Sequence, residues 1–239
     1  MPRTLVLFVF HVVNDRVTSF IRNAIFYDDN IDFVVISNDK KNVFEVPRYV
    51  KTFYRDNIGY DFGGWSEVLL ENNLYENYDT FIFCNSSIIG PFMQNSTEKW
   101  TDIYLNELKT VQLTGSTINT LSEPMTKAHV QSYIFAMDKI TLEYLIKCEI
   151  FSNTNIAKTF EEAIWNKEVL MSRKVIENGW NIGSLLKQYK GVDFTFRNKQ
   201  PHEYYGVEFL GDIMYAYYEG KLWARSQLVF IKGNRGWRP

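Results

Sequence analysis

Short apolar runs separated by polar turns dominate the N-terminal third of the chain. Leu5 to Phe10 is continuously apolar, a pattern typical of a parallel strand that is covered on both faces. Three further runs of strand length come after it, and two stretches with helical spacing lie between the runs. The predicted elements have the order β-α-β-β-α-β and cover residues 5–10, 16–26, 32–36, 50–54, 65–73 and 79–84. This alternation predicts an α/β fold with a mostly parallel sheet.

The remaining two thirds of the chain alternate less regularly. Helical spacing recurs at residues 100–108, 139–148 and 159–178, and strand patterns recur at 111–116, 129–137 and 227–231. Gly179 directly follows the longest predicted helix, a position where glycine commonly ends helices. The length of 239 residues suits one domain, and we find no internal repeat.

Short polar side chains follow the first two predicted strands. His11 comes directly after the first strand, and Asn38 and Asp39 follow the second. In open α/β sheets, ligands bind beyond the carboxyl ends of the strands, so we expect these side chains to border one crevice. Asn and Asp are also common turn formers, so the sequence leaves both roles open.

A polar turn that contains three glycines follows the third predicted strand. Asn57, Gly59, Asp61 and Gly63 alternate along it, and a helical pattern begins near Trp65. Glycines let the backbone approach a ligand closely, and the N-terminus of a helix favours an anionic group. The turn therefore predicts a ligand-binding loop, and an ordinary tight turn with a helix cap is the alternative.

Composition and charge limit the kinds of partner that the protein can bind and indicate its cellular compartment. The formal net charge of −2 lacks the basic footprint of a nucleic-acid-binding protein, so we expect no nucleic acid partner. The two cysteines lie in apolar surroundings, as is typical of proteins in the reducing cytosol. The apolar run near the N-terminus is too short to span a bilayer and lacks a signal-peptide cleavage site. We therefore expect a cytoplasmic protein without a transmembrane segment.

Several common enzyme motifs are absent from the sequence, including the Walker A loop, GxGxxG, CxxC, HExxH and GxSxG. The Asn-x-Gly-x-Asp-x-Gly-Gly turn remains, together with an apolar strand about twenty residues later that ends in Asn85, Ser86 and Ser87. This arrangement resembles the glycosyltransferases of the GT-A fold. In those enzymes, such a turn contacts the nucleotide, and the next strand delivers a short acidic motif that holds a divalent metal.

Five blocks of sequence narrow the resemblance to one family. They are Arg55 to Trp65, Asn85 to Pro91, His129 to Tyr133, Glu168 to Ser172 with Gly179 to Ile182, and Phe230 to Arg235. In this order they resemble the rhamnan-synthesis F type, which includes small glycosyltransferase domains of bacteria and of large algal viruses. The resemblance implies a GT-A-like, Rossmann-related fold with a mixed, mostly parallel central sheet flanked by helices. It also implies a single glycosyltransferase domain over residues 1–239, with a nucleotide-sugar-binding half at 1–92 and an acceptor-binding half and C-terminal tail at 93–239.

The resemblance assigns roles to individual residues. Glu168 and Asp61 are the candidate catalytic carboxylates, with Glu161 and Glu162 as substitutes for Glu168. Asp61 is also placed to hydrogen-bond the nucleotide or the sugar. The implied acceptor-binding residues are His129, Gln131 and Ser132. The implied nucleotide-sugar-binding residues are His11, Asn38, Asp39, Asn57, Gly59, Asp61, Gly63, Asn85, Ser86, Lys232 and Arg235. The last two of these would neutralise the leaving diphosphate.

One departure from the family pattern bears on the metal. Many GT-A enzymes carry Asp-x-Asp where this chain has Asn85, Ser86 and Ser87, and a hard cation such as Mn²⁺ or Mg²⁺ prefers charged oxygen ligands. Three explanations stay open: Asp61 or another carboxylate helps to hold the metal, Lys and Arg side chains replace it, or the chain has lost activity. The sequence therefore leaves the metal ligands unknown.

Taken together, the sequence favours a glycosyltransferase that moves a hexose or deoxyhexose from a nucleotide diphosphate sugar, such as a UDP-sugar, to a glycan acceptor. The family name favours rhamnose. Two alternatives come from other classes: a catalytically silent carbohydrate-binding or scaffold domain, and a nucleotidyltransferase. The sequence does not distinguish the donor nucleotide, the sugar, the acceptor, inversion from retention, or the oligomeric state.

Overall fold

The structure is a computed structural model that describes residues 2–95, 97–209, 211, 217–218, 221–222 and 224–233. The strands are β1 Thr4–Phe10, β2 Ile31–Ser37, β3 Lys51–Tyr54, β4 Thr80–Asn85, β5 Ile88–Ile89, β6 Leu113–Gly115, β7 Ile118–Asn119, β8 His129–Val130, β9 Ile134–Asp138, β10 Ile182–Ser184, β11 Tyr217–Tyr218, β12 Lys221–Leu222 and β13 Ile231–Lys232. The α-helices are α1 Asp15–Asn23, α2 Tyr60–Leu70, α3 Trp100–Glu107, α4 Pro124–Lys127, α5 Lys139–Lys147, α6 Phe160–Glu162, α7 Leu170–Glu177 and α8 Arg225–Leu228. A π-helical segment, Ala163–Val169, joins α6 to α7.

Seven strands form the central sheet in the order β10-β6-β9-β4-β1-β2-β3. Strand β9 runs antiparallel to both of its neighbours, β4 and β6, and the other pairs are parallel. The predicted α/β class with a mixed, mostly parallel central sheet flanked by helices is confirmed. Because β1 and β4 are adjacent and parallel, their carboxyl ends open at the same edge of the sheet.

Aromatic side chains cover both faces of the sheet. On one face, the rings of Phe83 and Phe135 stack at 4.6 Å between centroids, and Trp65 of α2 meets Phe83 edge to face. On the other face, Phe8 stacks on Phe20 of α1 at 4.0 Å. Both layers are buried, so the many aromatic residues in this part of the chain serve chiefly as core.

Helix α2 begins at Tyr60, five residues before the predicted start near Trp65, so two glycines lie inside the helix. A Cβ on Gly63 would stand 2.1 Å from the carbonyl oxygen of Ile58, and one on Gly64 would stand 2.8 Å from Cγ2 of Val9. Close packing therefore explains these glycines, and it outweighs the low helix propensity of the residue type.

Two predicted strands were wrong. The pattern over residues 129–137 is divided into β8 and β9, and residues 227–231 hold the end of α8 and the start of β13. In the first case, Gln131 and Ser132 leave the sheet to face a cavity. In the second, only two residues pair, and they pair with β5 outside the central sheet. None of the described helices is long and apolar enough to cross a membrane.

Candidate active site

A cavity of about 400 Å³ lies at the carboxyl ends of β1 and β4. Strand β4, the start of α2, the segment around β8 and the π-helical segment all contribute side chains to it. Nine of the residues that the sequence analysis singled out line this cavity together: His11, Asn57, Asp61, Asn85, His129, Gln131, Ser132, Glu168 and Lys232. The structure thus brings five of the implied donor residues, the three implied acceptor residues and Glu168 together around one space.

The guanidinium of Arg55 holds the glycine-bearing turn in shape. It donates to the carbonyl oxygen of Ile58 at 2.8 Å and to Oδ1 of Asn38 at 2.8 Å, and its Nε pairs with Glu67 at 2.7 Å. Asn38 is 2% exposed and also bonds the turn through Asn57, at 3.3 Å. Asn38 therefore braces the turn from beneath rather than lining the cavity.

Asp61 lies in the first turn of α2 and faces the cavity. Its Oδ2 accepts a hydrogen bond from Nδ2 of Asn85 at 2.9 Å. Burial raises the pKa of Asp61 to about 6, against the lowering effects of Asn85 and of the Lys232 cation and with a smaller contribution from the Glu168 carboxylate. The carboxyl group therefore changes charge close to neutral pH.

We expect Asp61→Asn to stabilise the protein, and to do so more at neutral pH than in acid. The folded pKa of about 6 lies above the ordinary value of 3.8, so the folded state holds the proton more tightly across this interval. The stabilisation that the protonated Asp61 side chain adds to the free energy of unfolding is therefore fully present below pH 3.8 and is lost as the pH rises through about 6. Thermal unfolding of wild type and variant at about pH 4 and about pH 7 measures the difference.

The control for that experiment is Asp56→Asn, which removes an exposed carboxylate that pairs with Lys40 outside the cavity. An advantage of the Asp61 variant that does not change between the two pH values would contradict the raised pKa.

Glu168 faces Asp61 across the cavity and is held by Ser132. Its Oε2 accepts a 2.8 Å hydrogen bond from the Ser132 backbone N–H and a second, short one from the Ser132 hydroxyl. The side chain is 16% exposed, so it retains access to a ligand. Two hydrogen bonds to one oxygen leave Oε1 as the atom that is available for chemistry.

The π-helical segment presents Glu168 to the cavity. The neighbouring Lys167 points the other way and is 3% exposed. Its ammonium group donates to the carbonyl oxygens of Glu149, Ile150 and Asn155 at 2.7, 3.0 and 2.5 Å. This satisfied buried cation anchors the segment, and π-helical turns of this kind are frequent at functional sites.

His129 stands beside Glu168. Its Nδ1 lies 2.7 Å from the carbonyl oxygen of Lys127, so Nδ1 carries the hydrogen. Its Nε2 lies 3.8 Å from Oε1 of Glu168. A proton on Nε2 would form an ion pair with Glu168, and a neutral ring offers a lone pair to a ligand hydroxyl.

Five predicted ligand residues do not line the cavity: Asn38, Asp39, Gly59, Gly63 and Ser86. The carboxylate of Asp39 accepts from the backbone N–H of Lys41 at 2.9 Å and so stabilises its own turn. The carbonyl of Ser86 accepts from Arg16 at 2.8 Å, and the next residue, Ser87, lines the cavity instead. Gly59, with φ of +78°, and Gly63 shape the turn, and Arg235 lies outside the described residues.

Several cavity residues were missed from the sequence. Asn119 at the end of β7 lines the cavity, as do Tyr60, Phe160 and Trp165. Phe160 and Trp165 are 67% and 44% exposed and form an apolar side that is open to solvent. The sequence places both only within the predicted helix over residues 159–178, so their exposure in the fold is what identifies them as candidates for contact with a ligand.

The residues that take the place of the acidic motif do not fit a divalent cation. Asn85 uses both side-chain atoms within the protein, since Nδ2 donates to Asp61 and Oδ1 accepts from the Ser87 N–H at 2.9 Å. Lys232 also places a positive charge in the same cavity. Within the described part of the chain, no group of three His, Cys, Asp or Glu residues is arranged to hold a metal ion. We therefore assign no step to a metal.

Two solved structures show a distant likeness to this chain. One is a nucleotide-diphospho-sugar transferase, by its description, from Desulfovibrio desulfuricans G20, with 11% identity, a TM-score of 0.43, and coverage of 83% of this chain and 92% of the other. Another is a cytidylyltransferase from Leptospira borgpetersenii serovar Hardjo-bovis, with 11% identity, a TM-score of 0.39, and coverage of 77% and 76%. No curated protein matches the sequence.

The family comparison is more specific than the structural one. The family model described as rhamnan synthesis protein F matches residues 33–211 of the 239-residue chain. The matched region contains the glycine-bearing turn, Asn85, the segment around His129, and Glu168. The predicted resemblance to this family is confirmed, and the likeness to viral domains stays a prediction. The chain belongs to the rhamnan synthesis protein F family.

Proposed function

We propose that the protein is a glycosyltransferase that moves a hexose or deoxyhexose from a nucleoside diphosphate sugar to a glycan acceptor. Rhamnose is the sugar that the family description favours. The observation that carries the proposal is the pair of facing carboxylates, with Asp61 beside Lys232 on one side of the cavity and Glu168 held by Ser132 on the other.

The donor would occupy the side of the cavity formed by the ends of β1 and β4. No side chain caps the N-terminus of α2, so its first-turn N–H groups favour an anion. Lys232 adds a positive charge to the same space. Asp61, with a pKa of about 6, suits a hydrogen bond to a hydroxyl of the sugar or the ribose.

Sugar transfer breaks the bond between the anomeric carbon and the diphosphate oxygen and forms a bond to the acceptor oxygen. In an inverting reaction, Glu168 accepts the proton of the acceptor hydroxyl as a general base. In a retaining reaction, its charge stabilises the oxocarbenium-like centre, and the leaving diphosphate oxygen takes the acceptor proton. In both cases Lys232 offsets the charge that develops on the leaving diphosphate.

Nucleotide binding is the first test of this proposal. We expect UDP, GDP, dTDP or CMP, or one of their sugars, to raise the melting temperature of the purified protein. A ligand at a hundred times its dissociation constant stabilises by about 2.7 kcal/mol, which is roughly 5–10 °C for a chain of this size. Each nucleotide is tested with and without Mn²⁺, and Asp61→Ala is expected to abolish the shift.

Asp56→Ala is the matched control, because it removes a neighbouring carboxylate that lies outside the cavity. It should keep the full shift. If no nucleotide changes the melting temperature under any condition, the transferase proposal loses its support. The alternative of a silent carbohydrate-binding domain, which the loss of the acidic motif favours, would then take precedence.

A further inference from the structure

Two buried amide side chains on neighbouring segments both use their carbonyl oxygen for a hydrogen bond within the protein. Asn119 ends β7, which pairs antiparallel with β8, and Gln131 follows β8 directly. Oδ1 of Asn119 accepts from the backbone N–H of Leu121 at 2.8 Å, and Oε1 of Gln131 accepts from the Thr117 hydroxyl at 2.6 Å. Both carbonyl oxygens are therefore occupied within the protein.

The NH₂ groups of the same two side chains remain for a ligand. Asn119 is 5% exposed and Gln131 is 2% exposed, yet both line the cavity. Among residues 2–95, 97–209 and the other described positions, none accepts a hydrogen bond from either NH₂ group. Neither nitrogen is among the fully buried side-chain atoms that lack a partner in the described residues, so both NH₂ groups are reached from the cavity, where they suit a ligand that accepts hydrogen bonds.

Hydrogen-bond acceptors lie on the same side of the cavity. His129 lies opposite Asn119 in the β7–β8 pair, and its Nε2 faces the carboxylate of Glu168. A sugar hydroxyl both donates and accepts, so a pair of hydroxyls satisfies such a mixed set, whereas a carboxylate ligand only accepts. The charges of Glu168 and Asp61 further disfavour an anionic sugar.

The backbone beside Asn119 is held in an uncommon conformation. Leu121 and Ser122 have φ angles of +48° and +59°, and the Asn119 side chain bonds the N–H of the first of them. Non-glycine residues adopt such angles at a cost, and they cluster at ligand-binding sites. The strained turn and the position of Asn119 are therefore coupled.

We propose that Asn119 and Gln131 are specificity-determining residues that bind two hydroxyls of a neutral acceptor sugar. The assignment rests on the proposed function, because that function places the acceptor beside Glu168 in both stereochemical courses, and the two amides lie on the same side of the cavity as Glu168. The exposed Trp165 and Phe160 leave this side open to solvent, as a bound glycan requires. The amides act on the acceptor and not on the nucleotide.

The test uses near-isosteric variants. Asn119→Asp and Gln131→Glu keep the oxygen that bonds Leu121 or Thr117 and replace the NH₂ donor by an acceptor. Asn119→Ala and Gln131→Ala remove the donor without adding charge, and Asn198→Asp adds a carboxylate at an exposed position outside the cavity. The dissociation constants of methyl rhamnoside, its monodeoxy analogues and methyl glucuronide are measured by NMR titration. The nucleotide shift is measured separately, and circular dichroism checks folding.

We expect each of the four site variants to weaken methyl rhamnoside binding about ten-fold, with the Asn198 variant and the nucleotide shift unchanged. A monodeoxy analogue that lacks the hydroxyl bound by one amide should bind the wild type weakly. Substitution of that amide should then weaken the binding of this analogue no further. Unchanged glycoside binding, loss of nucleotide binding in the amide variants, or tighter binding of methyl glucuronide than of methyl rhamnoside would each overturn the assignment. Because glycoside binding is measured directly, these outcomes are separate from a failure of nucleotide binding, which would count against the transferase proposal itself.

Discussion

Glu168→Gln is expected to lower the rate of sugar transfer by about 10²- to 10⁴-fold, the range that general acid–base catalysis contributes. Glutamine keeps an oxygen that accepts both hydrogen bonds from Ser132, so the side chain stays in place. It removes the negative charge and the proton acceptor that face His129 and the cavity. The effect should therefore fall on kcat, measured by nucleotide release with saturating donor and acceptor.

Glu161→Gln is the matched control, since Glu161 is exposed in α6 and does not line the cavity. It should leave kcat unchanged, and the nucleotide-induced rise in melting temperature should be equal in wild type and both variants. A Glu168 variant with wild-type kcat would remove Glu168 from the mechanism. A loss of nucleotide binding in that variant would place the carboxylate in the donor site instead.

Gly63→Ala is expected to have the largest effect on stability. The added Cβ would stand 2.1 Å from the carbonyl oxygen of Ile58, the oxygen that also accepts from Arg55. The clash involves backbone on both sides, so relief requires α2 or the turn to move and breaks the Arg55 bond. We expect a loss of about 3 kcal/mol or more, or roughly 6–12 °C in melting temperature, measured by thermal and urea unfolding.

Gly191→Ala separates the clash from the general cost of replacing glycine. Gly191 has φ of +79° and open space around its Cβ position, so only the left-handed backbone opposes alanine, at about 1–2 kcal/mol. A loss in the Gly63 variant no larger than that of the Gly191 variant would show that the turn adapts easily. In the expected case, the Gly63 variant also loses nucleotide binding, because the turn carries Asp61 into the cavity.

The order of strands and helices along the first half of the chain could be predicted because each strand there is a separate apolar run with its own turn. A long apolar run such as that of β1 predicts a buried strand with little ambiguity, because both of its faces must be shielded from water. The start of α2 could not be predicted in the same way. Gly63 and Gly64 weaken a helix locally, and only their contacts with Ile58 and Val9 in the fold explain why the helix includes them.

Residues of the candidate site could be predicted where the sequence allows one plausible environment for the side chain. They could not be predicted where it allows two. Asn38 and Asn119 are both asparagines at the end of a strand, yet the first is used beneath the turn and the second reaches the cavity. The difference depends on which buried group lies nearby, here Arg55, and that is a property of the tertiary structure. Likewise Ser86 and Ser87 differ by one position along the backbone, and only the second faces the cavity.

The π-helical segment has a consequence for how members of this family diverge. A helix advances by about 100° per residue, so deleting one residue between Ala163 and Lys167 would restore ordinary helical geometry. The deletion would also rotate the N-terminal part of the helix against its C-terminal part. Lys167 and Glu168 both lie beyond the deletion and keep their orientation relative to each other, so the change falls on Phe160, which would turn away from its present position at the cavity. A difference of one residue in this segment is thus a route by which members of the family can change the open, aromatic side of the cavity while they keep the Glu168 carboxylate and its Lys167 anchor.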